Sequence, residues 1–148
     1  MKFTFRLATL LKLRESTRDE RRNHLALAYR AETMVLEELE RVDGDMKSLR
    51  RRVQAAVRPG EIDVDILINA QRFELVLKSR KQHAVQQQEL VKSEIERRRQ
   101  SLVEADREMK ILEKLRERHH ERWQAEENLQ DIKRLDEIAG RRRIEEDG

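Results

Sequence analysis

Residues 55–65 read AAVRPGEIDVD and contain the only proline of the chain, followed directly by a glycine. Pro59 disfavours helical geometry at Arg58 and cannot continue a helix, because its ring removes the backbone N–H donor. Gly60 permits a sharp reversal of the backbone, and Asp63 is suited to cap a helix that follows. This stretch therefore predicts one turn between two helices.

The sequence before this turn carries apolar residues at alternating steps of four and three. Such spacing is typical of a coiled coil, in which the a and d positions form a seam against a partner helix. Charged residues interrupt the pattern before Leu25, so we expect tighter packing from Val35 onward. The seam positions are Leu7, Leu11, Arg14, Arg18, Arg21, Leu25, Ala28, Glu32, Val35, Leu39, Val42, Met46, Leu49, Val53 and Ala56.

Folding the second helix back on the first brings apolar residues opposite each other, which predicts an all-α fold. We expect an antiparallel coiled-coil hairpin of two long helices, in which the second helix is longer and overhangs the first. The predicted single domain, residues 1–148, comprises helix 1 at about 4–57, a turn at about 58–62, helix 2 at about 63–140 and a charged tail at 141–148. Examples of the predicted pairs are Val53 with Ile66, Met46 with Phe73, Val42 with Leu77 and Leu7 with Leu112.

The second helix continues past the point where the first one begins. From His119 onward we expect no partner from the same chain. Leu129, Ile132, Leu135 and Ile138 follow at three-residue steps, which makes a stripe that drifts around the helix instead of a heptad seam. These side chains need a partner, or they form a bare apolar surface.

Composition agrees with long helices and not with an ordinary globular core. Charged residues make up 43% of the chain and aromatic residues 3%, which leaves either disorder or helices that bury a narrow stripe. The regular spacing favours the helices.

Thirty-three basic residues nearly cancel thirty acidic ones, and the net charge of +3 does not imply binding to nucleic acid. Without cysteine the chain has no disulfide and no thiol chemistry.

The chain lacks the motifs of an enzyme active site. There is no phosphate-binding glycine loop, nucleophile elbow or HExxH motif. His119 and His120 are neighbours on a helix and point about 100° apart, so they cannot share one metal ion. We therefore predict no catalytic residue, no metal and no cofactor.

No run reaches the roughly 20 apolar residues that a membrane span needs, so we expect a cytoplasmic chain without membrane insertion.

Three clusters of arginine could contact phosphate groups. Arg50–Arg52 and Arg97–Arg99 are interpreted as solvated faces, because acidic residues are interspersed and no aromatic platform accompanies them. Arg141–Arg143 is less easily explained in this way, because it ends the uncovered stretch.

Two segments resemble the FliJ family of flagellar export proteins. They are MKFTFRLATLLKLRE at residues 1–15 and REMKILEKLRERHHERWQAEENLQDIKRLDEIAGRR at residues 107–142. The resemblance covers essentially the whole chain and rests on the two end motifs together with the total length. The terminal motif is carried by Leu135, Asp136, Glu137, Ile138, Ala139, Arg141 and Arg142.

The resemblance implies a non-catalytic component of the type III export apparatus at the base of the flagellum. Members of this family are hairpins similar to the central stalk, the gamma subunit, of rotary ATPases. Their helix ends insert into the ring of the export ATPase, another part contacts the export gate protein FlhA, and they also handle export chaperones. The expected location is the cytoplasm, peripherally at the inner membrane, and we expect a monomer in isolation.

The resemblance also implies two sets of binding residues. The candidates for the ATPase ring are Phe3, Leu7, Trp123, Leu129, Ile132, Leu135, Ile138, Arg141 and Arg142. The candidates for the export gate are Val42, Met46, Phe73 and Leu77, whose alternative role is packing in the hairpin seam. Two alternatives for the whole chain remain, namely a self-associating structural coiled coil and a stalk homologue from an injectisome.

Overall fold

The protein is described by a computed structural model over residues 1–58 and 60–148, so that Pro59 and its predicted effect on the turn lie outside the described residues. Helix α1 spans Ala8–Ala56 and helix α2 spans Val64–Asp147. Between them lie two strands, β1 at Val57–Arg58 and β2 at Glu61–Ile62. The predicted all-α hairpin of two helices, with the second one longer, is confirmed.

A short antiparallel strand pair closes the turn between the helices. Val57 pairs with Ile62 and Arg58 pairs with Glu61, which continues the register predicted for the helices. Gly60 has a φ of 101°, in the left-handed region where a side chain is strained. The reversal therefore depends on the glycine that the sequence places there.

Asp63 starts the second helix as the predicted cap. Its Oδ1 accepts hydrogen bonds from the backbone N–H groups of Asp65 at 3.1 Å and Ile66 at 3.4 Å. These donors have no partner within the first turn of a helix, so a capping carboxylate stabilises the helix by about 1 kcal/mol. The cap fixes the residue at which α2 begins.

The chain divides into two compact units. One unit comprises Met1–Glu20 and Val103–Gly148, and the other comprises Arg21–Leu102. In the second unit Val42 on α1 and Leu77 on α2 are 0% exposed and are the best-buried side chains. The other buried apolar side chains of this unit are Ala28, Leu49, Ala84 and Ile95.

Ion pairs between the helices accompany this buried contact. Arg80 donates from Nε at 3.1 Å and from Nη2 at 2.8 Å to Oε1 of Glu38. Arg80 also approaches Asp45 at 3.6 Å, and Lys81 approaches Asp43 at 3.5 Å. The hydrogen bond from Arg80 holds the pKa of Glu38 below its usual value. Since these groups are partly exposed, their main effect is to orient the helices.

A charged residue also crosses the weak part of the seam. Arg98 donates from Nη1 to the backbone carbonyl of His24 at 2.6 Å and from Nε to Glu94 at 2.7 Å. Hydrogen bonds from Arg97 and Arg98 lower the pKa of Glu94. A half-buried cation can therefore join α2 to α1 where an apolar contact is missing.

The helix ends differ from the predicted boundaries. Helix α1 begins at Ala8 and not at about residue 4, because residues 6–7 form a turn in which the N–H of Ala8 donates to the carbonyl of Phe5 at 3.1 Å. Helix α2 continues through Gly140 to Asp147, so the segment expected to be a tail is helical. A glycine inside a helix costs about 1 kcal/mol but keeps its backbone hydrogen bonds, and it does not end a helix by itself.

Two glycine substitutions should have opposite effects on stability. Gly44 lies inside α1 with nothing within 4 Å of the position of an added Cβ, so Gly44→Ala should raise the free energy of unfolding by up to about 1 kcal/mol. Gly60 has equal space but a positive φ, so Gly60→Ala should lower it by about 1 kcal/mol. Urea unfolding followed by circular dichroism measures both. Shifts of the same sign would contradict the assigned backbone geometry.

Candidate partner-binding surfaces

The N-terminal segment, residues 1–7, precedes the helix without regular secondary structure, ends in a turn at residues 6–7 and packs on the helices of its own unit. Phe3, Phe5 and Leu7 face the protein while the side chains between them are exposed, which is the two-residue period of a strand. Phe5 is 9% exposed and belongs to a cluster with Leu11 and Met109. The segment therefore adds apolar contacts to a part of the hairpin whose seam is interrupted by charge.

The N-terminal segment makes aromatic contacts with α2 as far along that helix as Trp123. The ring of Phe3 lies 5.0 Å from that of His120 in an edge arrangement and 5.9 Å from that of Trp123. The ring of Phe5 lies 5.7 Å from that of His119. A non-helical residue can advance up to about 3.3 Å and a helical one advances about 1.5 Å, so residues 1–5 can reach further along α2 than a helix of the same length.

These contacts correct the expectation that residues from His119 onward lack a partner in their own chain. The N-terminal segment contacts His119, His120 and Trp123, of which His119 and Trp123 are half-buried and His120 stays exposed, so the part of α2 without such a contact begins after Trp123. Phe3, Leu7 and Trp123 were sequence candidates for a partner surface. All three are half-buried, because Phe3 and Leu7 pack against the cluster of Phe5 and Trp123 contacts the ring of Phe3.

The C-terminal extension, residues 124–147 of α2, carries the other apolar candidates. Leu129, Ile132, Leu135 and Ile138 are between 51% and 65% exposed. Ile144, which was not among the candidates, is exposed as well. A helix with this much exposed aliphatic surface offers binding area that its own chain does not use.

The four aliphatic residues form a stripe that winds around the extension. A step of three residues along a helix advances about 4.5 Å and turns the side chain by about 60°. From Leu129 to Ile138 the stripe therefore passes through about half a turn over about 14 Å. Such a row is inclined by about 45° to the helix axis. A partner that covers all four side chains must cross the helix steeply or surround it.

Cations lie next to the end of this stripe. Arg141 and Arg142 are exposed, and neither makes an ion pair with any residue that the structure describes. Within the extension, Arg134 approaches Asp131 at 3.9 Å. The surface thus combines an apolar stripe with positive charge that is free to contact an anionic group.

The gate candidates occupy three different environments. Val42 and Leu77 are the fully buried pair of the second unit, and Met46 is half-buried. Phe73, predicted to face Met46 in the seam, is 43% exposed, so much of its ring is in contact with water. The groove beside Met46, about 500 Å³, is lined instead by α2 residues that include Leu67, Ala70, Gln71 and Glu74.

A small angular difference leaves Phe73 at the surface. Residues 67, 70, 74 and 77 follow steps of three and four, and Phe73 is turned by about 100° from its neighbour Glu74. Glu74 can line the groove with its methylene groups while its carboxylate reaches solvent, where Lys78 approaches it at 3.2 Å. Phe73 alone among the four gate candidates is largely available to a partner.

Sequence reasoning missed Phe5, although the signal was present. The alternation of Phe3, Phe5 and Leu7 has a period of two, whereas the extrapolated helical pattern has steps of three and four.

Among the described residues no three side chains of the metal-ligating types are grouped as a site for an ion. In the same part of the chain, no helix combines the length and apolar composition needed to cross a membrane.

The contact between the N-terminal segment and Trp123 can be tested with the only tryptophan of the chain. Phe3→Ala should shift Trp123 emission to longer wavelength, because water gains access to the indole. It should also lower the free energy of unfolding by about 1 kcal/mol, the worth of one aromatic pair. Phe73→Ala, which removes the same ring from the other unit, is the control. Unchanged emission in Phe3→Ala would mean that the segment does not cover Trp123 in solution.

Comparison with known proteins identifies a family for this chain. Neither the curated proteins nor the solved structures gave a match. A protein-family model described as "Flagellar FliJ protein" matches residues 1–147, which include both helices, the N-terminal segment and the C-terminal extension. The chain therefore belongs to the FliJ family and has a role in flagellar protein export.

Proposed function

We propose that the chain is a non-catalytic stalk that binds the ring of the flagellar export ATPase through its C-terminal extension. In this role it promotes the assembly and turnover of the ring, and it links the ring to the export gate protein FlhA and to export chaperones. Its location would be the cytoplasmic face of the inner membrane at the flagellar base. The observation that carries the proposal is the exposed stripe from Leu129 to Ile138 with unpaired cations beside it.

The winding of the stripe favours a partner that surrounds the helix. A ring contacts a central helix from several sides at successive heights, so it can cover all four aliphatic side chains at once. A single helix packed along the extension in a coiled-coil register would cover only the members on one side. This geometry supports the ring over the self-associating coiled coil.

An effect on ATP turnover needs no catalytic residue in this chain. Subunits around a single helix would meet different side chains, because Leu129 and Ile138 point in roughly opposite directions. A ligand shifts a conformational equilibrium only by the difference in its affinity for the two states. A stalk with unlike sides would therefore stabilise different states in different ring subunits.

For the gate contact, the exposed ring of Phe73 supports a role in binding. Val42 and Leu77 would act indirectly, because they hold the helices together beneath that surface. The gate surface would accordingly be built from Phe73 and exposed neighbours on α2, of which Val76 is one. The chaperone contacts would use other exposed parts of the chain.

ATP hydrolysis by the export ATPase of the same organism tests the ring contact. The full chain should stimulate turnover, and a chain ending at Asn128, which keeps every residue that packs on the N-terminal segment, should not. Leu129→Asp with Ile132→Asp should weaken binding roughly a hundredfold, since each buried aliphatic side chain contributes about 1.5 kcal/mol or more. Leu90→Asp is the control, because Leu90 is equally exposed but lies in the other unit.

Stability and oligomeric state decide what a negative result means. The two aspartate substitutions should leave thermal unfolding almost unchanged, and a large loss would show that the stripe is already packed. Light scattering that detects a dimer for the full chain and a monomer for the chain ending at Asn128 would favour self-association. Stronger stimulation of an injectisome ATPase than of the flagellar one would assign the chain to that system.

The gate contact is tested by binding to purified FlhA. Phe73→Ala should weaken binding about tenfold or more, as expected for an aromatic contact at an interface. Leu75→Ala is the matched control, because Leu75 is exposed but points to another side of α2. Leu77→Ala is unsuitable, since it would lower stability through a cavity in the core. Equal binding by the Phe73 and Leu75 variants would remove Phe73 from the gate surface.

A further inference from the structure

The turn of the hairpin exposes both aliphatic side chains and positive charge. Val57, Ile62 and Val64 are between 51% and 63% exposed. The chain that leads to the turn is basic. From Lys47 in α1 to Arg58 in β1 it contains cations and no acidic residue. We call residues 47–64 the tip. Its cations are Lys47, Arg50, Arg51, Arg52 and Arg58.

Two arginine triplets in this unit have the same composition but different surroundings. Each member of Arg97–Arg99 has an acidic partner on its own helix, because Arg97 and Arg98 bond to Glu94 and Arg99 approaches Glu96 at 3.9 Å. Arg50–Arg52 makes no ion pair with any of the residues described by the structure. The triplet at the tip therefore keeps its full charge for a partner.

The spacing along the chain suits an interface between water and lipid. At about 1.5 Å per helical residue, Arg52 and Arg50 lie about 8 and 10 Å behind Val57. Peripheral membrane elements bury their apolar face to a depth of about 5–10 Å, and long basic side chains reach the phosphate groups from there. The distance between the exposed aliphatic side chains of the turn and the arginines of α1 therefore matches the distance between the buried apolar face and the lipid phosphates.

The acidic residues of the tip do not cancel this charge. The tip contains five cations against two acidic residues, Glu61 and Asp63, and Asp65 follows directly after it. The carboxylate of Asp63 already accepts two backbone hydrogen bonds as the cap of α2. Glu61 lies opposite Arg58 in the strand pair. The cations of α1 remain in excess.

We propose that the tip docks on an anionic membrane surface. Val57, Ile62 and Val64 enter the headgroup region, and the arginines of α1 bind the lipid phosphates. The contact is interfacial and needs no membrane span. A nucleic acid is a poorer partner, because residues 47–65 contain no aromatic ring on which bases could stack and expose aliphatic groups that phosphate binding does not use. This inference does not depend on the ATPase contact.

Flotation of the full chain with vesicles of phosphatidylcholine, with and without phosphatidylglycerol, tests the proposal at moderate salt. We expect binding only when the anionic lipid is present, and weaker binding as salt is raised. Replacing Arg50, Arg51 and Arg52 by Gln should weaken binding about a hundredfold, since each cation near an anionic surface contributes about fivefold. Ile62→Ser with Val64→Ser should weaken it about tenfold or more.

The matched control replaces Arg141, Arg142 and Arg143 by Gln, which removes the same charge from the C-terminal extension. This variant should bind vesicles like the unaltered chain, and circular dichroism should show all variants folded. Equal losses in the two arginine variants would overturn the proposal in favour of general charge attraction. Full binding by the Ile62 and Val64 variant would exclude insertion of the tip. Binding to soluble polyglutamate that is as tight as to vesicles, and lost with Arg50–Arg52, would point to an acidic protein partner instead.

Discussion

A chain in which 43% of the residues are charged can bury only a narrow apolar stripe, and this constraint determines the rest of the structure. Val42 and Leu77 are fully buried against each other's helices, and most other seam residues keep partial contact with water. The hairpin therefore holds its helices by one line of contacts. Many apolar side chains away from that line remain at the surface and are available for other contacts.

Where the line of contacts weakens, the protein uses other means to join its helices. In the second unit Arg98 bonds directly to the backbone of α1 at His24. In the first unit Arg14 bonds to Glu108 at 2.8 Å, and the N-terminal segment adds the rings of Phe3 and Phe5. These additions lie near charged seam positions, because an unpaired charge between helices needs a partner and an open groove needs apolar cover.

The hairpin could be predicted from the sequence because its signals are local and repeated. The proline and glycine of the turn, the cap at Asp63 and the heptad spacing all indicate the same fold, and the strand pair continues the predicted register. The path of residues 1–7 was missed because an alternation over so few residues competes with a helical pattern that runs into it. The exposure of Phe73 was not predicted, because a small rotation of a helix decides how deeply a residue at the edge of a seam is buried. Its exposure depends on how Glu74 packs, which spacing alone does not decide.

The half-turn of the aliphatic stripe in the C-terminal extension has a mechanical consequence. Leu129, Ile132, Leu135 and Ile138 trace a left-handed screw thread on the helix, which rises about 4.5 Å for each turn of about 60°. If such a helix moves along its axis through a fixed protein ring, it keeps the same contacts with the ring only if it also rotates. A protein that surrounds the extension would thereby couple sliding to rotation, and either motion could drive the other.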